Sequence, residues 1–189
     1  MLVKFMAAHS LKRLDLSNNR LTCEGAIMLA KSLETGGVKC QLKRLNLSLN
    51  NIGATGCYAL CQVIQIRFGA TTHYNDVYVS AQAMESYEPM QYLDLSSNRI
   101  ESPCAEAIAK LIGRSKSLKE LKLTCNKLGR EAGERILEDL ETNDTLLKLD
   151  TRKAARSNSD WPHCVLPPRQ NGWVITITNA NLTYSVIHM

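Results

Sequence analysis

Aromatic residues are scarce: two Trp, six Tyr and two Phe make up 5% of the 189 residues. A core here has to be filled by aliphatic and small side chains, because large rings are too few to fill one. No apolar run approaches the roughly 20 residues that a membrane-spanning helix needs, so no membrane contact is expected. The opening MLVKFMAAHS is too short in its apolar part for an export signal. Without one, the Asn-x-Ser/Thr triplets at Asn46, Asn143 and Asn181 carry no weight. Seven cysteines, at 23, 40, 57, 61, 104, 125 and 164, include no C-x-x-C pair and leave one odd. That excludes a simple disulfide framework and points to a reducing, cytoplasmic compartment. His9, His73, His163 and His188 are scattered and match no zinc spacing. Gly-rich phosphate loops and nucleophile signatures are absent as well. No catalytic residue, metal, cofactor or small-molecule substrate is therefore expected, and the chain is not expected to be an enzyme.

Charge of one sign is also lacking where it would matter. The formal net charge is +5, but Arg152, Lys153, Arg156 and Arg169 against Asp160 put +3 of it beyond residue 151. The remaining +2 is spread over a body of mixed signs. A nucleic-acid partner would need a clustered basic face, so none is expected.

What is present is a repeat. Leu11–Leu21 reads LKRLDLSNNRL, and LKRLNLSLNNI (Leu42–Ile52), MQYLDLSSNRI (Met90–Ile100) and LKELKLTCNKL (Leu118–Leu128) repeat its pattern. A decayed fifth copy, LLKLDT, opens at Leu146. In each full copy the pairs Leu14/Leu16, Leu45/Leu47, Leu93/Leu95 and Leu121/Leu123 alternate with polar residues, which predicts a short half-buried strand. Behind each comes a stretch with small and apolar residues on one helical face, such as Ala26, Leu29, Ala30 and Leu33, or Ala105, Ile108, Ala109 and Ile112. Cys57 and Cys61 stand where the first repeat has Ala26 and Ala30, and read as small packing residues. Strand, turn, helix and return make a right-handed crossover unit. No such unit buries its leucines alone, so the units are expected to stack.

The L-x-x-L-x-L-x-x-N-x-L copies, with the Gly-Ala-x-x-Leu-Ala-x-x-Leu phase behind them, resemble the leucine-rich repeat family and its intracellular ribonuclease-inhibitor-like subtype. The resemblance covers roughly residues 1–151. It implies an α/β fold, a right-handed solenoid or horseshoe arc with parallel strands on the concave face and helices on the convex face. Four full repeats and a decayed fifth are expected. For function it implies a range: ribonuclease inhibition, innate-immune sensing, GTPase activation, actin capping or ciliary axoneme assembly. The NDTLLKLDTR stretch is similar to the last repeat of axonemal subunits, which adds a cytoskeletal or ciliary location to the cytoplasmic expectation.

The spacing is irregular in one place. Successive copies start 31, 48, 28 and 28 residues apart, so the second repeat is 20 longer than the two after it. Deleting residues 63–82 joins Gln62 to Ala83, restores 28 residues and puts Met84 at the closing helical position held by Leu33 and Ile112. Val codons begin GT and one Gln codon is CAG, the letters that bound a spliced intron. A projecting functional loop carrying Phe68, Tyr74 and Tyr78 is the other account. Either way, 63–82 is expected as an irregular insertion bulging from the helical side.

The ends differ from the body. Leu2, Phe5 and Met6 read as the tail of a preceding repeat's helix, either a minimal cap or the sign of a longer protein. Residues 152–189 hold both Trp, three of the five Pro and no leucine repeat. Within this tail, Trp173–Thr178 and Leu182–Ile187 read as a hairpin that would cap the array; a disordered tail or non-native sequence are the alternatives. Ser102-Pro103 reads as an N-cap and first turn.

Side chains that alternate outward on the strands form columns on the concave face: Arg13, Arg44, Tyr92, Glu120, Lys148, and beside them Asp15, Asn46, Asp94, Lys122, Asp150. The expected partner-binding set is Arg13, Asp15, Arg44, Asn46, Tyr92, Asp94, Glu120 and Lys122, with Tyr92, Arg13 and Arg44 as the hot spot. Asn19, Asn50, Asn98 and Asn126 form a further column, expected to satisfy backbone groups at the turns. The function expected is a non-enzymatic module that binds a protein partner. Alternatives are a regulator of an enzyme, of GTPase-activator or nuclease-inhibitor type, and a structural subunit of an assembly such as the axoneme.

Overall fold

The computed structural model describes residues 11–35, 42–67, 90–154, 176–179 and 182–185. Strands and helices alternate: β1 (Arg13–Asp15), α1 (Cys23–Thr35), β2 (Arg44–Asn46), α2 (Gly53–Arg67), β3 (Tyr92–Asp94), α3 (Ala105–Arg114), β4 (Glu120–Lys122), α4 (Gly129–Glu141) and β5 (Lys148–Asp150). A 3₁₀ turn at Ser102–Cys104 leads into α3. The sheet then takes on β6 (Thr176–Asn179), parallel to β5, and β7 (Leu182–Ser185), antiparallel to β6. Strand order follows chain order, and the repeats pair without offset: Leu14, Leu45, Leu93, Leu121 and Leu149 lie in one row. This is an α/β leucine-rich-repeat solenoid.

The core follows from the spacing. Leu45, Leu93, Leu121 and Leu149 are fully buried from the sheet side, and Leu29, Leu60, Ile108 and Ile136 meet them from the helices. All belong to one continuous aliphatic cluster. Truncating any of these leucines to alanine should cost about 2–5 kcal/mol, transfer and cavity terms together.

Two expectations change. Residues Val63–Arg67 are helical rather than irregular, because Leu60 and Ile64 continue the apolar spacing of α2. Ile64, 2% exposed, takes the closing position that Leu33 and Ile112 fill in their own helices; Met84, residues 68–82 and the Leu2–Met6 stretch lie outside the described residues. Ser102 does not cap its own helix. Pro103 tightens the entry into a 3₁₀ turn, α3 starts only at Ala105, and the Ser102 hydroxyl donates instead to the Leu128 carbonyl of the next repeat.

The asparagine column does what buried amides must. Asn50 Oδ1 accepts the N–H groups of Asn19 and Leu21 at 3.0 and 2.8 Å, and its Nδ2 donates to the carbonyls of Leu16 and Leu47, both at 2.9 Å. Asn126 repeats this on the third repeat, accepting from Asn98 and Ile100 and donating to Leu95 and Leu123. Asn98 does not. Its Nδ2 reaches the Leu47 carbonyl at 2.8 Å, but its buried Oδ1 has no partner among the described residues.

The turns explain why. Counting from the first residue of each copy, positions eight and ten have positive φ in repeats one and three (Asn18, Arg20; Ser97, Arg99). In repeats two and four the positive φ values fall at positions eight and twelve: Leu49 with Gly53, and Cys125 with Gly129. Glycine carries the left-handed conformation at position twelve without steric penalty. Thr22 and Glu101 occupy that position in the other two copies and bridge to Asn51 and Lys127 of the following repeat. The repeats are therefore joined two by two, first with second and third with fourth. At the seam between the pairs a backbone bond from Gly53 N–H to the Asn98 carbonyl, 3.0 Å, stands where the amide ladder is interrupted.

Candidate functional site

Strands β1 to β5 are three residues long, and their outer residues, first and third, face away from the helices. Register puts Arg13, Arg44, Tyr92, Glu120 and Lys148 in one file and Asp15, Asn46, Asp94, Lys122 and Asp150 in the next. The centre of this face is Tyr92. The Arg44 guanidinium lies over its ring, 4.1 Å from the centroid, and the Lys122 ammonium lies 5.2 Å from the same centroid. Its hydroxyl donates to Asp94 Oδ2 at 3.1 Å. Lys122 sits 4.0 Å from Asp94 Oδ2 and 3.7 Å from Glu120 Oε1, and Lys148 closes on Glu120 at 3.2 Å. A half-buried ring is thus held between cations that its own face attracts.

Burial pushes the Tyr92 phenol above its ordinary value; the Asp94 charge adds to this and Lys122 opposes it. Burial works to lower Lys122, but the Tyr92 hydroxyl and the carboxylates of Glu120 and Asp94 together raise it. Both groups are held in their protonated forms at neutral pH.

The second file has an additional task. Asp15 Oδ1 accepts from the Ser17 backbone N–H at 2.8 Å and from its hydroxyl at 2.6 Å. Asn46 does the same for Ser48, and Asp94 accepts from the Ser96 N–H at 3.0 Å. These are Asx turns that end the strand and steer the chain toward the next helix. The Ser17 hydroxyl and N–H, with the Asn46 amide, hold the Asp15 carboxyl below the usual range. Asp94 is only 8% exposed and Asp150 3%, so their carboxylates are largely spent inside the fold. Asp150 in addition takes both ends of the Arg152 fork, at 3.0 and 2.7 Å.

Of the eight residues expected to meet a partner, Arg44, Tyr92, Asp94, Glu120 and Lys122 come together as one linked group. Arg13 and Asp15 lie at the β1 edge, exposed, with Asp15 tied to Asn46 Nδ2 at 3.0 Å. Arg152 is the residue that sequence spacing missed: it follows the decayed fifth copy and pairs with Asp150 at the end of the second file.

Comparison with known proteins runs in the same direction. A family model described as Leucine Rich repeat matches residues 7–30, 38–61, 89–109 and 114–137. The chain is similar to the human NACHT, LRR and PYD domains-containing protein 5, 30% identical over 162 residues, which is 80% of this chain and 13% of that protein. RAN GTPase-activating protein 2 of Arabidopsis thaliana is 25% identical over 141 residues, 75% of this chain and 22% of that one. The mouse ribonuclease inhibitor is 27% identical over 148 residues, 74% of this chain and 32% of that one. The chain thus matches a third or less of the length of each of these relatives. Among solved structures, the leiomodin-1 actin-binding site 2 superposes with a TM-score of 0.57 at 18% identity, covering 78% of this chain and 75% of that one. That likeness concerns the fold alone. Among the described residues no helix is long and apolar enough to cross a membrane.

Proposed function

Starting from a chain that belongs to the leucine-rich-repeat family, in its ribonuclease-inhibitor-like subtype, and that is a protein-interaction module, we propose that its partner protein is held on the concave face of the sheet around Tyr92. The observation that carries this is the pre-set stack of Arg44 and Lys122 on the Tyr92 ring, anchored by Asp94. Tyr and Arg dominate binding hot spots because they bring large contact area and directional polar groups together. Here their ordering is achieved before the partner arrives, which removes part of the entropy cost of association. Arg13 and Arg44, both exposed, extend the contact toward β1, and Glu120 toward β4. Asp15, Asn46 and Asp94 serve the contact chiefly by fixing the turns beneath it. A partner of this kind is met in the cytoplasm, and no catalytic step is assigned to the chain.

Photo-crosslinkers placed one at a time at Arg13, Tyr92 and Glu134 test the reading. Crosslinks to the same partner from Arg13 and Tyr92, and none from Glu134 on the helical side, are expected. Crosslinking confined to Glu134 would move the contact to the convex face and overturn it.

A second reading, in which the bound partner is an enzyme that the module regulates, draws on the names of two relatives, RAN GTPase-activating protein 2 and ribonuclease inhibitor. Nucleotide hydrolysis by a small GTPase and cleavage by a ribonuclease, each measured with and without the chain, separate it from plain scaffolding.

A further inference from the structure

Three thiols meet inside the core at the seam between the second and third repeats. Cys57 and Cys61 are one turn apart on α2, and Cys104 ends the 3₁₀ turn that leads into α3. Cys57 and Cys61 are fully buried and Cys104 is 1% exposed. The Sγ atoms of Cys57 and Cys61 lie 3.9 Å apart, and all three lie within 4.8 Å of one another. Among the described residues no His or carboxylate joins them.

That geometry is a ligand set. Bonds of about 2.3 Å from one pyramidal, three-coordinate centre, with angles of ~95–100°, place the sulfurs ~3.4–3.5 Å from each other. The Cys57–Cys61 pair lies within about half an ångström of that separation, and small changes of side-chain torsion bring all three sulfurs to it. Thiolate sulfur selects soft, thiophilic centres. Charge then decides among them. Three thiolates around a monovalent ion leave two negative charges in an aliphatic core, and around a divalent ion one. Neither has a compensating cation in the cluster, and an uncompensated buried charge is strongly unfavourable. A trivalent centre leaves none. With no fourth protein ligand at hand, the centre must also be content with three.

We propose that Cys57, Cys61 and Cys104 form a three-sulfur site for one trivalent arsenic, taken up as arsenous acid. The exchange balances without oxidant or reductant. Three As–O bonds and three S–H bonds break, three As–S bonds form, and each released hydroxide leaves with a thiol proton as water, three waters in all. The product is neutral and sits in an apolar surround. Because α2 and the entry to α3 belong to different repeats, the bound centre cross-links the seam.

The test uses the full chain, reduced with a phosphine and refolded with or without arsenite, so that the thiols are reached before the core closes. One arsenic per chain is expected, with three sulfur and no oxygen neighbours by X-ray absorption. A higher melting temperature is expected too, since the site exists only in the folded state. Cys57→Ala, Cys61→Ala and Cys104→Ala should each lose the third sulfur and the melting shift. These variants are expected to fold, because Ala26, Ala30 and Ala132 fill the matching buried positions of other repeats. Cys125→Ala, at an exposed cysteine, should bind as the parent does. An arsenic with two sulfurs and an oxygen in the parent chain, no bound arsenic, a lowered melting temperature, or unchanged three-sulfur binding in Cys104→Ala would each overturn the proposal.

Discussion

The seams within the repeat pairs and the seam between them are built from the same sequence pattern and are not the same joint. Within a pair, an asparagine of the later repeat takes two backbone N–H groups of the earlier one, and a β-bridge (Thr22 with Asn51, Glu101 with Lys127) runs beside it. Between the pairs, Asn98 leaves its Oδ1 unbonded. The strand ladder and the Gly53–Asn98 backbone bond still cross that middle seam, and side-chain chemistry adds to them: Arg44 on Tyr92 across β2 and β3 on the open face, and the three cysteines in the core. A repeat array is a sum of nearest-neighbour interfaces. The difference shows that those interfaces need not be equal, even when the leucines are.

The comparison breaks most visibly at the ladder. Asn126→Ala leaves two buried N–H groups and two carbonyls short of a partner and should cost about 3 kcal/mol in urea unfolding, whereas Asn98→Ala, whose Oδ1 is already unpaired, should cost clearly less. Equal losses would mean that the two joints are equivalent after all. The clamp on the open face comes next. Tyr92→Ala should weaken partner binding by about 2 kcal/mol if it is the hot spot, measured by calorimetry once the crosslinked partner is in hand. Its effect on folding, limited to lost cation–π contact and packing, should stay near ~1 kcal/mol.

Turn chemistry gives a smaller and sharper effect. Gly129→Ala forces an alanine to a φ of +76° and should destabilise by about 1 kcal/mol, while Glu101→Ala at the same repeat position, in ordinary extended backbone, should lie within about 0.5 kcal/mol of the parent. Thermal melts of the two variants side by side decide it. The smallest effect is in pH. Folding raises the Tyr92 phenol, so its contribution is fully present below the unfolded value and is lost as pH rises through the folded one. Alkaline titration of phenolate absorbance should therefore show a late-ionising tyrosine that is missing in Tyr92→Phe. Its absence would mean that the ring is not held against Lys122 and Asp94.

Much of this was legible beforehand, for a physical reason: alternation and helical spacing act residue by residue, so Leu14, Leu45, Leu93, Leu121 and Leu149 found one row and Asn50 and Asn126 found their backbone partners. Ser102 was misjudged because an N-cap uses the hydroxyl oxygen as acceptor for a local N–H, whereas the hydroxyl donates to a carbonyl of the next repeat that local sequence does not reveal. The end of α2 was misjudged because a deletion that restores the period competes with a helix that simply continues, and Ile64 fills the closing position as well as Met84 would. The pairing of repeats did have a signal: glycine at position twelve in two copies, Thr22 and Glu101 in the others. The cysteine cluster had almost none, since Cys104 stands one residue out of phase with the Ala105 that a repeat alignment equates to Cys57.

The unbonded Oδ1 of Asn98 has a mechanical consequence. Pulled along its length, the array is expected to yield first at the weld between its two blocks of paired repeats, where the amide ladder is two N–H bonds short. Arg44 and Tyr92 sit on opposite lips of that weld. A partner seated across them would act as a splint, so the force needed to part the blocks would report directly on whether the face is occupied.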